Sequence, residues 1–574
     1  KRYNLSGNFY VDIDFPFLKG LNYRVNLSQN LIENKEFKFN KWGANFEGEG
    51  SKMNDSQYNW TVDNILSYKN TFGKHAVNAT FVYGAEKRQY ESTTAGASKF
   101  LNDVLGYNNL GLGQSDLQTA SSEAWEETSL YLMLRAIYTF NDKYIFTGTI
   151  RRDGFSGFGK DNKFGVFPSA AIAWRVSEEN FIKDNVKWID NLKLRLSYGQ
   201  NGNRTVGRYQ TLAKIDNGNG YLFGDGATGE QKQWVSSMPN SNLKWETTNT
   251  FNVGIDFSLL NGRIFGNLEY YRAKTHDLLY NINIPQINGL GSIPTNIGKL
   301  SNKGFEMSVT GVPVQTKDLV WNITFNFSRN RNKVVSILGQ DLNGDGREDD
   351  LVSEKIFINH PYGVVYDYNL IGMWQIEDYL AGRIPDGFTY GTYKVEDVNG
   401  DGDYTQEDDR KILGYTDPAY RFSVQNSIRY KNWELKFMIN SVQGGKKYYY
   451  GQPGKDLNNP DNVYQNNSFD FDYWTPENPN ACYRQLGYSP NVLGTGFSPY
   501  MQRNFVRLQD VTLSYDVPAN FLGKFHINRL KFYVTGKNLL TFTKWDGWDP
   551  ESGSGLKADY PVMRSYSVGL NVEF

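Results

Sequence analysis

Along most of the chain, apolar and polar side chains take turns. In the last ten residues Tyr566, Val568, Leu570, Val572 and Phe574 alternate with Ser565, Ser567, Gly569, Asn571 and Glu573. Strand side chains point to opposite faces with period two, so one face here is apolar and the other small or polar. The same rhythm recurs in pairs. Phe251, Val253, Ile255 and Phe257 lead to a turn at Asn261-Gly262, and the alternation resumes in GRIFGNLEYYRAKTHDLLY. Trp433, Leu435, Phe437 and Ile439 follow a turn at Lys431-Asn432, while YLMLRAIYTF and KYIFTGTIRRDG flank Asn141-Asp142. Short turns rich in Asn, Gly and Asp between alternating runs signal hairpins.

The pattern predicts strands over 2–14, 21–32, 55–71, 74–93, 124–140, 143–155, 163–176, 192–202, 243–259, 262–281, 297–313, 318–335, 418–430, 432–447, 504–516, 528–541 and 565–574. The connections between them alternate in length. Those after the first, third, fifth, ninth, eleventh and thirteenth strands are a few residues long. Those after even-numbered strands are mostly long, reaching roughly 40 residues at 203–242 and about 80 at 336–417. A half-buried soluble sheet shares the alternation but has no reason to sort its loops. The sorting predicts an all-β fold, a transmembrane antiparallel β-barrel with short periplasmic turns and long extracellular loops.

One connection on the short side is longer, SEENFIKDNVKWIDN from Ser177 to Asn191. Ser177 is placed to cap a short periplasmic helix whose first turn carries Glu178 and Glu179. Parity adds a further expectation. Single-chain bacterial barrels have even strand counts, and transporters of about 22 strands carry a plugged lumen. Residues 1–574 are then expected to be the C-terminal part of such a barrel, with about 17 of roughly 22 strands. The plug and an N-terminal extension would lie upstream of Lys1.

Composition narrows the classes. Lys+Arg of 61 against Asp+Glu of 62 leaves a formal charge of -1, which argues against nucleic acid as a partner. No apolar run approaches the length of a membrane helix, and alternating barrel strands average out as polar in any case. The 39 Tyr, 36 Phe and 13 Trp suit interfacial girdles in outer-membrane lipid and also suit carbohydrate-active β-proteins. One cysteine, Cys482, permits no internal disulfide. The four histidines are scattered without a zinc spacing. No Ser/His/Asp or Cys/His set stands out, so an enzyme is not expected.

DVNGDGDYTQED (397–408) has the spacing of a calcium loop. Asp397, Asn399 and Asp401 would offer side-chain oxygens, Gly402 the sharp turn, Asp403 a backbone carbonyl, Thr405 a contact through water, and Asp408 the twelfth-position carboxylate. Calcium bound there would brace the longest external loop. DLNGDGREDDLV (341–352) starts alike but has Val352 at position twelve, leaving only Asp349 or Asp350 to substitute. Tyr448, Tyr449 and Tyr450, with Tyr473 and Trp474, flank another long loop. Their rings could stack on sugars, but a girdle or loop-core role is the favoured reading.

Several stretches together resemble the SusC/RagA family of TonB-dependent outer-membrane transporters of Bacteroidota. They are RRDGFSGFGKDNKFGVFPSAAIAWRVSEENF (151–181), LKLRLSYGQNGN (192–203), NLKWETTNTFNVGIDFSLLNGRI (242–264), KLSNKGFEMSV (299–309), DVNGDGDYTQEDDRKILG (397–414), YWTPENPNA (473–481), FVRLQDVTLSYDVP (505–518), RLKFYVTGKNLLTFTKWDGWDPE (529–551) and the C-terminal strand. The resemblance implies a plugged barrel of about 22 strands, a SusD-like surface lipoprotein acting as a lid, and TonB as the motor, acting through an N-terminal segment. It also implies a glycan or peptide ligand and allows a dimer of transporter–lid pairs. The leading expectation is import of a large nutrient. The alternatives are a barrel used as a structural subunit of a larger outer-membrane assembly or secretion complex, and an extracellular glycan enzyme.

Overall fold

The computed structural model describes the chain apart from residues 42, 44–46, 223–228, 285, 286, 288, 446–448, 452–471, 486–498, 524, 525 and 554–560, and apart from the side chains of 219–222, 229–232 and 283. Seventeen strands form one antiparallel sheet. They are β1 (Arg2–Asp14), β2 (Leu21–Asn40), β3 (Glu49–Phe72), β4 (His75–Ser98), β5 (Thr119–Phe140), β6 (Tyr144–Phe155), β7 (Phe164–Arg175), β8 (Ile189–Asn203) and β9 (Glu246–Leu259). There follow β10 (Ile264–His276), β11 (Lys299–Gln315), β12 (Leu319–Ser336), β13 (Tyr420–Tyr430), β14 (Trp433–Gln443), β15 (Phe505–Asp516), β16 (Arg529–Thr543) and β17 (Ser565–Glu573). Each strand pairs with the next.

The expected turns are where the chemistry put them. Asn141 and Asp142 take φ of 52° and 54°, and Lys431 takes 51°, the left-handed backbone that tight hairpins require. Tyr430 pairs with Trp433 across the latter turn, and Phe140 with Tyr144 across the former.

The strands on the long-loop side run further than expected. β2 extends to Asn40, β3 starts at Glu49, β4 reaches Ser98 and β5 starts at Thr119. The β3–β4 ladder continues unbroken from Phe72↔His75 to Glu49↔Ser98. Over these added stretches small and polar residues such as Lys52, Asn54, Thr94, Ser121 and Ser122 interrupt the apolar rhythm. The backbone ladder still propagates there, and Phe39 near the end of β2 packs on Phe100 at 5.1 Å.

The expected helix also differs. Ser177 does not cap it, because it is buried inside a 3-10 turn, Val176–Glu178. The α-helix is Asn180–Lys183, with Glu179 at its N-cap position and no side-chain cap bond. Glu178 instead pairs with Lys183 at 2.9 Å, and Ile189 opens β8.

By internal contacts the chain divides into two compact units. One comprises Lys1–Arg175, Arg195–Phe251 and Ala273–Lys299, and the other Val176–Leu194, Asn252–Arg272 and Leu300–Phe574. The first has a small core of Phe155, Phe158, Phe167, Val206, Leu243 and Trp245. The second has a loop core of Tyr368, Trp374, Phe388, Tyr393 and Val395. Among the described residues no helix is long and apolar enough to cross a membrane.

Candidate functional site

The sheet has two chemically opposite faces, read most clearly across β3 to β6. Leu66, Phe81, Leu134 and Ile150 are successive cross-strand partners and are 40%, 42%, 52% and 50% exposed. A continuous apolar row of this kind in water would be an association or aggregation surface. On β5 the apolar face runs through Leu130, Leu132, Leu134, Ala136, Tyr138 and Phe140. Ten residue steps of roughly 3.4 Å, tilted by about 40°, project to roughly 26 Å, close to the ~25 Å apolar band of outer-membrane barrels.

At the short-turn end of this face lies an aromatic row. His75, Phe140, Tyr144 and Trp174 are consecutive cross-strand partners. Their ring centroids are 5.1 Å, 6.5 Å and 6.5 Å apart. Amphipathic rings collected at one level suit the boundary between hydrocarbon and headgroups.

The other face is polar. Asp63, Gly84, Tyr131 and Asp153 form the matching row on the same four strands. Tyr131 reaches across Gly84, its hydroxyl donating to Asp63. Arg151 pairs with Asp153 at 2.7 Å and lies over the Tyr131 ring at 4.7 Å. Arg204 meets Glu86 at 2.6 Å and donates to the Ser129 hydroxyl. Glu86, Ser129, Tyr131, Arg151, Asp153 and Arg204 line an open cavity of about 570 Å³ together with Gln200, Asn201 and Asn203. Each of its arginines is matched by a carboxylate, so the wall is wet and polar without a surplus of either charge.

The predicted calcium loop is closed by its own hydrogen bonds. Asp397 accepts from the amides of Gly400 at 2.7 Å and Gly402 at 2.9 Å. Asn399 accepts from Asp401 N at 3.1 Å, and Asp401 from Asp403 N at 2.8 Å. Asp408, at position twelve, accepts from the Thr405 hydroxyl at 3.0 Å. Asp409, which the spacing argument passed over, is fully buried and accepts from Val398 N at 2.9 Å and Thr405 N at 2.6 Å. Only its position beside Asp408 could have pointed to it. Among the described residues no three acidic, histidine or cysteine side chains are grouped so as to hold a metal. In the similar stretch at 341–352, Asp349 and Asp350 accept from backbone amides of Leu342 and Ile358.

The aromatic clusters separate. Tyr449 is 4% exposed against Val442 and Phe505, and Trp474 is 3% exposed with its indole donating to Gln375 at 3.1 Å. Both are loop core. Tyr450 and Tyr473 keep accessible surface, and Tyr448 lies outside the described residues.

A sheet that is apolar and exposed on one face, polar on the other and edged by a row of aromatics has the make-up of a membrane β-barrel. The comparisons say which. The TonB dependent receptor-like, beta-barrel family matches residues 1–539, and the chain belongs to that family. It is 32% identical over 99% of its length to TonB-dependent receptor P3 of Formosa agariphila, covering 58% of that protein. It is 29% identical to TonB-dependent receptor SusC of Bacteroides thetaiotaomicron, covering 99% of this chain and 55% of that one. The fold matches a structure described as the RagAB peptide transporter with a TM-score of 0.79 at 22% identity, covering 100% of this chain and 62% of that one. The chain thus spans a little over half the length of the curated relatives it matches. It is an outer-membrane β-barrel of a Gram-negative bacterium, in a family of transporters and not of enzymes.

Proposed function

We propose that this barrel serves TonB-dependent import of a large nutrient, a glycan or a peptide, across the outer membrane. The observation that carries the reading is the opposition of faces on β3 to β6. The Leu66–Phe81–Leu134–Ile150 row meets lipid, and the Asp63–Tyr131–Asp153 row lines a polar passage. Similarity to SusC and to the RagAB transporter fold supports the same reading. A SusD-like surface lipoprotein would cap the passage, TonB would supply the pull through an N-terminal segment, and transporter–lid pairs could associate as dimers. The test is mass spectrometry of the tagged protein purified gently from outer membrane, paired with uptake assays in a deletion strain. One SusD-like lipoprotein as partner and loss of uptake of one polymer class would support import. A stable set of assembly or secretion factors with uptake unchanged would identify a structural subunit instead.

The loop at 397–408 is proposed to take calcium, on the spacing of Asp397, Asn399, Asp401, Asp403 and Asp408. Asp397, Asn399 and Asp401 accept from amides of their own loop, which holds the turn on which the spacing argument rests. The ion's role would be to stiffen the loop, not to take part in transport.

A further inference from the structure

We infer that the outward face of β10 to β12 holds the phosphate of an outer-leaflet glycolipid, the headgroup chemistry of lipid A. Tyr271 of β10 lies over Gly304 of β11, and its hydroxyl donates to Asn330 of β12 at 3.3 Å. These residues share the polar face with Glu306, Ser308 and Asn326. Arg272, Lys303 and Arg329 are their chain neighbours and therefore stand on the opposite face, grouped at the same level. That face is the apolar one. Phe305, Phe327 and Tyr420 follow one another across β11, β12 and β13, with ring centroids 6.2 Å and 5.8 Å apart.

Their level is the outer boundary of the apolar band. β9 and β10 join at the short Asn261-Gly262 turn, and β11 and β12 at another over 316–318, so the three cations lie toward the long loops. On β12, Trp321, Ile323, Phe325 and Phe327 precede Arg329 on the same face. The step from Phe327 to Arg329 is roughly 5 Å along the barrel axis, which sets the charge just past the last ring. All three cations are exposed.

No carboxylate of these strands is placed to neutralise them. The acidic residues of β10 to β12 are Glu269 and Glu306, and the alternation sets both on the polar face. Among the described residues none of the three cations takes an ion pair. Arg331 adds a fourth charge one outward step beyond Arg329 and donates to Pro418 O at 3.3 Å, while Asp417 accepts from Asn332 at 2.8 Å. An outward cation of the first unit is treated differently, since Lys87 meets Glu126 at 2.9 Å. Like charges crowded on neighbouring strands repel, and a bridging anion turns that cost into binding. The two guanidinium groups can each take phosphate oxygens in pairs, with Lys303 as a point charge on the strand between them. Phe305 and Phe327 lead from this level into the apolar band, where they would lie beside acyl chains. A free phosphate has no use for that second surface, whereas a lipid uses both.

The experiment is native mass spectrometry of the full-length protein, purified from outer membrane in detergent and titrated with three probes. They are monophosphoryl lipid A, the same lipid with its phosphate removed, and inorganic phosphate. The phosphorylated lipid should bind about a hundredfold tighter than the dephosphorylated one, and inorganic phosphate should not displace it. Replacing Arg272, Lys303 and Arg329 together by glutamine should remove that preference. Lys19→Gln, Lys74→Gln and Lys317→Gln, an equal loss of charge on the short-turn side, should keep it. Lys303→Gln alone spares both arginines and should weaken the preference about fivefold, which keeps the test open where the triple variant fails to fold. Equal binding of the two lipids, displacement by inorganic phosphate, indifference to the triple variant, or equal loss in the short-turn control would each overturn the proposal.

Discussion

Tyr131 lies flat over Gly84, its cross-strand partner, so closely that a Cβ added to the glycine would fall 2.2 Å from Tyr131 Cε2. The arrangement lets the phenol span one strand to reach Asp63 on the next. The same device recurs at Gly569 under Tyr533 and Gly304 under Tyr271, at 2.4 Å and 2.3 Å. Aromatic rings covering mid-strand glycines restore the packing that a glycine lacks and allow a sheet to curve there.

Gly84→Ala should therefore displace Tyr131 and cost about 1–3 kcal/mol, the usual penalty of overpacking. Gly148→Ala on β6 is the control, since nothing lies within 4 Å of a Cβ there. The measurement is the urea midpoint of the folded, heat-modifiable barrel in detergent micelles. Equal midpoints for the two variants would show that the ring contact contributes nothing.

The aromatic row should behave as an anchor. Replacing both Tyr144 and Trp174 by alanine removes ring neighbours that sit at 6.5 Å, each pair contributing about 0.5–1.5 kcal/mol. The double variant is expected to reach the outer membrane in reduced folded yield, read by heat modifiability on gels. Replacing the polar-face Thr149 and Ser169 by alanine should leave the yield close to wild type.

All seventeen sheet strands were legible from period two and turn chemistry, because lipid on one face and water on the other keep the alternation strict. The extensions to Asn40 and Ser98 were not, since small and polar residues such as Lys38, Thr94 and Gly96 interrupt the alternation there, and the packing that helps hold them, Phe39 on Phe100 at 5.1 Å and Phe37 on Tyr107 at 5.7 Å, comes from residues far along the chain. Short hairpins within the long loops were missed for a related reason. Leu370–Met373 and Tyr393–Val395 owe their form to the buried cluster around Trp374, a set of residues far apart in sequence. Ser177 looked like a helix cap by its neighbours, yet burial drew it into the preceding turn. Asp409 was passed over for a similar cause: counting along a template selects Asp408, whereas burial, which counting cannot see, selects its neighbour.

Calcium should protect the loop around 397–408. With free calcium at about 100 times the dissociation constant, linkage predicts roughly 2.7 kcal/mol of added local stability. Limited proteolysis of the native protein should be slower with calcium than with a chelator, and Asp397→Ala should abolish the difference. Identical cleavage in both buffers would remove calcium from the account. Asp409→Ala is a separate variant, expected to expose the loop to protease with or without the ion, because it orphans the amides of Val398 and Thr405.

The ion pair of Arg507 and Asp549 ties the loop after β16 to the strands beneath it, and it should make that loop sensitive to acid. The two side chains meet at 2.6 Å and are 4% and 7% exposed, with Glu551 at 2.8 Å as a second partner for the guanidinium. Burial pushes the Asp549 carboxyl up, but the amides of Ser552 and Glu551 and the Arg507 guanidinium together outweigh it and hold the group below the ordinary Asp value of 3.8. A carboxyl with a depressed folded-state pKa contributes stability that is fully present above its unfolded value and is lost as pH falls through its folded one. Hydrogen exchange of residues 545–553 should therefore be slow at neutral pH and accelerate only below about pH 4. Asp549→Ala leaves the buried guanidinium with the Thr541 hydroxyl and the half-exposed Glu551 carboxylate and should cost about 3–5 kcal/mol of local stability at pH 7. The double variant Arg507→Met, Asp549→Leu, which leaves no buried charge at the pair, should recover much of that loss. A double variant as unstable as Asp549→Ala would mean that the backbone bonds to Asp549, and not the ion pair, hold the loop.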